Sequence, residues 1–120
     1  MDRLLVLQND ACPEVRFNAA TGLARQGDAR SLKRLTEMLD PTEMSVVESE
    51  TAGEATWKRE HVILNGLSAV KRLAELNQEA DLEPLKHAIE KLAASSEMSS
   101  AIKVQSQDAL RSVQTHQSQC

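Results

Sequence analysis

The side chains able to do chemistry are few and scattered along the 120 residues. The chain holds three histidines, His61, His87 and His116, and two cysteines, Cys12 and Cys120. A zinc or transition-metal site needs three or four convergent ligands. His61 follows Glu60, but no second such pair occurs and the other histidines fall on different predicted elements. These spacings favour solvent-facing or half-buried histidines. The cysteines match no metal or redox spacing, so two reduced thiols are expected. There is no His-Glu-x-x-His, Gly-x-Ser-x-Gly, P-loop or Gly-x-Gly-x-x-Gly, and the glycines are scattered. The carboxylates read as caps or solvated helix-face residues, and neighbours in sequence build no acid–base pair. The expectation is therefore no catalytic, cofactor or metal residues, and no enzyme.

The remaining chemistry is ionic, and it needs helices to position it. Apolar residues make 41% of the chain and charged residues 27%, an ordinary soluble balance for one domain, 1–120. Aromatics make only 2%, so the core must be built from Leu, Val, Ile, Met and Ala. Strong helix formers dominate and strand signals are nearly absent, which predicts an all-α chain. No apolar run is long enough to span a membrane, and the first residues lack the core of a signal peptide. A cytoplasmic protein is expected.

The clearest unit runs from Pro13 to Leu39. Val15, Ala19 and Leu23 recur at helical spacing, with Phe17, Ala20 and Ala24 beside them. Gly27-Asp28 breaks the pattern and caps a second helix lined by Leu32, Leu35, Met38 and Leu39, which Asp40-Pro41 stops. Helices are thus predicted over 14–26 and 29–39. A short helix over 2–9 precedes them, and Arg3-Leu4 matches Arg34-Leu35 at an offset of 31.

Residues 41–55 hold four glutamates and no base, and read as an acidic insertion between units. A long helix then starts near Ala52 or just before Trp57 and runs to about Asn77. Its stripe is Ile63, Leu67, Val70, Leu73 and Ala74, with Val62, Ala69 and Leu76 beside it. Trp57 reads as the edge of a core. Asp81 caps a fifth helix, lined by Leu82, Leu85, Ile89 and Leu92, in which Lys86-His87 takes the place of Lys33-Arg34. A sixth covers about 97–114, with Ile102, Ala109, Leu110 and Val113 inward. Ile102 to Leu110 repeats the Val15 to Leu23 spacing of eight.

Two helices per repeat at a period in the thirties or forties is the pattern of an α-solenoid. Asp10, Pro13, Val15, Arg16, Ala19, Ala20, Leu23, Ala24, Gly27, Asp28, Leu32, Leu35 and Leu39 together resemble the HEAT-like repeats of the phycobilisome-lyase type. The match is best over about 4–41. It weakens over 57–93, where Asn65-Gly66 replaces Val-Arg, and is partial over 97–114. The resemblance implies a right-handed α-α superhelix, here a short solenoid of about six helices. It implies that Arg16 packs against Asp10, with no continuous ladder because Lys103 or Gln105 stands in the last helix. It also implies a concave face, lined by second helices, that binds a partner. The metal-binding His-Glu pairs of a HEAT-repeat hydroxylase are not matched, because the single Glu60-His61 pair is reversed.

On that face the non-core residues are Arg30, Lys33, Arg34 and Glu37, then Lys86, His87 and Glu90, with Arg3 and Lys91 beside them. This is a mildly basic stripe on a chain of net charge −4. One reading is a groove for an acidic peptide or helix of another protein. The other is a solvated face closed by pairs such as Lys33–Glu37 and Lys86–Glu90. Nucleic acid is not expected with this net charge, one Trp and no Tyr. Other implied roles are a lyase or chaperone like the bilin-lyase members, or a structural segment of a larger scaffold. Starting on a second helix and ending on a first leaves both terminal helices with uncovered flanks. Those flanks would pack on further repeats or on another copy, unless the end helices re-pair.

Overall fold

The computed structural model describes residues 2–40, 52–95 and 98–118. Residues 41–51 of the acidic segment, Cys120 and the side chains of Trp57 and His116 lie outside the described residues. Among the described residues six helices succeed one another: α1 (Asp2–Leu7), α2 (Pro13–Arg25), α3 (Leu32–Met38), α4 (Ala52–Leu76), α5 (Glu83–Ala94) and α6 (Ser100–Ser118). No strand occurs among the described residues, and none of these helices is long and apolar enough to cross a membrane.

Local chemistry sets the helix ends. Gly27 adopts φ 78°, a left-handed conformation that glycine reaches without steric penalty. Its N–H donates to the Ala24 carbonyl, and the Asp28 N–H donates to the Leu23 carbonyl, both at 2.9 Å. These two bonds are a Schellman ending for α2. The Asp28 carboxylate then accepts the Arg30 N–H at 2.9 Å, and a 3-10 turn over Ala29–Ser31 leads into α3. The second helix expected over 29–39 is therefore a 3-10 turn followed by an α-helix. Asp81 accepts the Glu83 N–H at 3.1 Å at the start of α5. Ser99 Oγ accepts the Ile102 N–H at 3.4 Å, so α6 begins later than 97.

The helices pack in two rows. α4 lies between α2 and α6, while α3 packs on α2, α4 and α5, α5 packs on α6, and α1 packs on α2. The result is a slab of 44 × 37 × 16 Å. Its core is aliphatic: Leu23, Leu35, Leu39, Leu67, Leu73, Leu85, Ile89 and Ile102 are each at most 1% exposed. Burying one such side chain contributes about 1.5–3 kcal/mol. Small residues let the rows approach. A Cβ on Gly66 would come within 3.2 Å of Met38 and Leu39, which explains glycine where the repeat pattern has arginine.

Burial gives each helix its rotational register. Phe17, Ala20 and Ala24 of α2 are buried, as are Leu67, Val70 and Ala74 of α4, fifty positions on. Ile63, Leu67, Val70 and Ala74 recur as buried Ile102, Ser106, Ala109 and Val113, thirty-nine positions on. Equating Val15–Leu23 with Ile102–Leu110 by spacing alone does not reproduce this register. Leu23 is fully buried and Leu110 is only half-buried. The longer first spacing coincides with the segment 41–51. The offset of 31 between α1 and α3 agrees with burial only in part, because Leu4 and Leu7 are half-buried where Leu35 and Met38 are buried. Gln8 is buried where Leu39 is buried, and Val6 is exposed on the same side as Glu37.

Candidate functional site

The residues expected to line a basic stripe divide into different roles. Arg34 is an internal clamp. Its Nε donates to the Gln8 carbonyl at 2.7 Å and its Nη2 to Asn9 Oδ1 at 2.9 Å. Its Nη1 donates to both carboxylate oxygens of Glu37, at 2.8 and 3.0 Å. Gln8 Nε2 returns a bond to the Arg30 carbonyl at 3.0 Å. The Arg34 side chain is 16% exposed and joins the end of α1 to α3, so little of it is available to a partner. Arg30 forms a fork with Asp28, Nε and Nη2 donating at 3.0 and 2.8 Å. The hydrogen bond from Arg30 lowers the Asp28 carboxyl below its ordinary value.

The pairs Lys33–Glu37 and Lys86–Glu90 do not form. Glu37 bonds Arg34, and His87 lies between Glu83 and Glu90 at 3.7 and 3.8 Å. Lys33 and Lys86 make no ion pair among the described residues. They also do not share a register. Leu32, Leu35 and Leu39 correspond to Leu82, Leu85 and Ile89 at an offset of 50, the offset that relates α2 to α4. Glu83 and Pro84 therefore stand where α3 has Lys33 and Arg34, and Lys86 and His87 stand where it has Thr36 and Glu37. The shift of three residues turns Lys86 about 60° around its helix from the Lys33 position. The solvent side of α3 and α5 thus carries Glu37, Glu83 and Glu90 beside Lys33, Lys86, His87 and Lys91.

Arg16 reaches Asp10 as expected, but through the backbone. Its Nη1 donates to the carbonyls of Asp10 and Ala11 at 3.0 and 3.2 Å. The Asp10 carboxylate is engaged instead by the Cys12 N–H at 2.8 Å. In the corresponding place on α6, Gln105 and Asp108 accept from Lys71 of α4 at 3.2 and 3.0 Å. Cys12 is a free, exposed thiol at the start of α2. Among the described residues no three His, Cys, Asp or Glu side chains come together as metal ligands. Val6 on α1 and Val104 on α6 are 70% and 60% exposed.

The other face, formed by α2, α4 and α6, holds a second charged group. Two open grooves of about 400 Å³ each meet at Glu75. One includes Arg25, Lys71 and Arg72, the other Asp108 and Arg111. Lys71 and Arg111 both bond Asp108, while Arg72 bonds Glu75 at 3.2 Å. The hydrogen bond from Lys71, with its charge and that of Arg111, holds the Asp108 carboxyl below its usual value. Four cations here face two carboxylates. The sequence carries a signal for this face: Ser68, Lys71, Arg72 and Glu75 recur at helical spacing opposite the Leu67–Val70–Ala74 stripe.

Fold and site together define an all-α protein whose described residues form six packed helices, with charge distributed differently on its two faces. No protein-family model, no curated protein and no solved structure matches the chain.

Proposed function

We propose that this protein is a short array of HEAT-like repeats, wound as a right-handed superhelix, and that it acts as a protein-interaction module. The observation that carries the reading is the recurring register. One set of buried positions repeats through α2, α4 and α6, and another relates α3 to α5. Each helix therefore commits one face to its neighbours and leaves the opposite face to solvent. Rows of such faces form a rigid surface whose polar residues are not needed by the core, the arrangement repeat arrays use for binding. The partner would be another protein, recognised by an acidic peptide or helix. Gel filtration of the protein from its own cells tests this. Elution in a complex with a second protein is expected, and elution as the free chain contradicts it.

A scaffold-segment role is the second reading, favoured by α1. None of its four apolar residues, Leu4, Leu5, Val6 and Leu7, is fully buried. Sedimentation of the isolated chain across a concentration series tests this reading. Association abolished by Val6→Glu supports it, and a monomer at every concentration overturns it.

A further inference from the structure

We infer that the partner-binding surface is the face of α2, α4 and α6, and that it takes an extended acidic segment of another protein across α4. The inference rests on the interaction-module reading and names its surface and ligand class. Three observations carry it. The two grooves flank α4 and share Glu75 as a lining residue, so one ligand crossing α4 there reaches both. Arg25, Lys71, Arg72 and Arg111 supply four positive charges against Glu75 and Asp108. This leaves an excess of positive charge on a chain whose net charge is −4. Finally, the cations keep donors in hand. Arg72 and Arg111 are 54% and 75% exposed, and each bonds a carboxylate through a single nitrogen. Arg25 makes no ion pair among the described residues.

The opposite face carries a smaller positive excess, because Arg30 and Arg34 are closed on Asp28 and Glu37, and Glu83 and Glu90 stand against Lys33, Lys86 and Lys91. Packed helix axes lie about 8–10 Å apart. A segment crossing α4 as a polyproline-II helix, with about three residues per turn and about 3.1 Å per residue, would thus place carboxylates three residues apart on one side, one in each groove. A nucleic-acid backbone fits less well. Among the described residues no aromatic side chain on which a base could stack lines either groove.

The test is a titration of the 15N-labelled full chain with the peptide Gly-Glu-Gly-Gly-Glu-Gly-Gly-Glu-Gly, monitored by amide shifts. Saturable shifts at Arg25, 68–78 and 108–115 are expected, with 30–37 and 83–90 unmoved. Arg72→Glu/Arg111→Glu should weaken binding at least tenfold, while Lys33→Glu/Lys86→Glu should leave it within twofold. Circular dichroism checks the fold, and Arg72→Gln/Arg111→Gln serves where charge reversal disturbs it. Shifts centred on α3 and α5, no saturable shift, or tighter binding of single-stranded DNA would overturn the inference. The interaction-module reading is judged separately by gel filtration of the native protein.

Discussion

Replacing Arg34 by methionine separates a clamp from a contact. Methionine keeps an unbranched apolar stem against the core and removes every donor. The bond to the Gln8 carbonyl is short, charge-assisted and part-buried, and contributes about 1.5 kcal/mol on ordinary scales. The bond to Asn9 is exposed and the pair with Glu37 has a partner that is 30% exposed, so each contributes about 0.5 kcal/mol after solvent screening. The expected loss is about 2–3 kcal/mol. Because the first two bonds hold only α1, the loss should appear as local release of that helix before global unfolding. Urea unfolding gives the total, and amide exchange at residues 4–10 gives the local part. Arg34→Lys keeps the charge without the planar fork and should recover less than half. A methionine variant within about 0.5 kcal/mol of wild type, with unchanged exchange at 4–10, would refute the clamp. Partner binding lost at full stability would restore Arg34 as a contact.

Other substitutions probe the packing and the charges. Gly27→Ala forces a side chain into a left-handed conformation and brings its Cβ to 3.0 Å from that of Leu76, so thermal unfolding should show a loss of about 2 kcal/mol. Ser106 is fully buried and its hydroxyl has no hydrogen-bond partner among the described residues. Ser106→Ala should therefore raise urea stability by about 0.5–1.5 kcal/mol, and a loss would show a missing partner. Leu85→Ala empties a site with no solvent exposure and should cost about 2–5 kcal/mol in the same assay. Asp28 and Asp108 have folded carboxyls below the ordinary 3.8, so their contribution is present above that value and is lost as pH falls through the lower folded values. Melting temperature should drop on acidification below about pH 4, and less steeply in Asp28→Asn/Asp108→Asn.

Much of the architecture was legible in the residues. Gly27-Asp28 marked a turn because only glycine enters that conformation freely and aspartate caps the next helical turn. Leu82, Leu85, Ile89 and Leu92 marked a helix face because no other period fits them. Rotation was harder to read. A helical stripe shifted by three or four residues overlays itself, so Lys33-Arg34 matched Lys86-His87 as well as it matched Glu83-Pro84. Burial breaks that tie, and sequence spacing does not. Ion pairing was ambiguous for the same reason, since Glu37 is three residues from Arg34 and four from Lys33. The Arg34 clamp and the Lys71–Asp108 bridge join elements 25 to 37 positions apart, and nothing local announces such contacts. The mixed charges of α3 and α5 and the cationic group on α4 and α6 emerge only once the helices are rotated into place.

The most direct test of the protein-interaction reading is photo-crosslinking in the protein's own cells. A photoreactive residue is placed in turn at Ser68 on α4, Gln107 on α6, Lys33 on α3 and His87 on α5, all exposed positions. Covalent adducts to one other protein are predicted from Ser68 and Gln107, through an acidic segment identified by mass spectrometry, and none from Lys33 or His87. Absence of an adduct to another protein from all four positions would contradict the interaction-module reading itself.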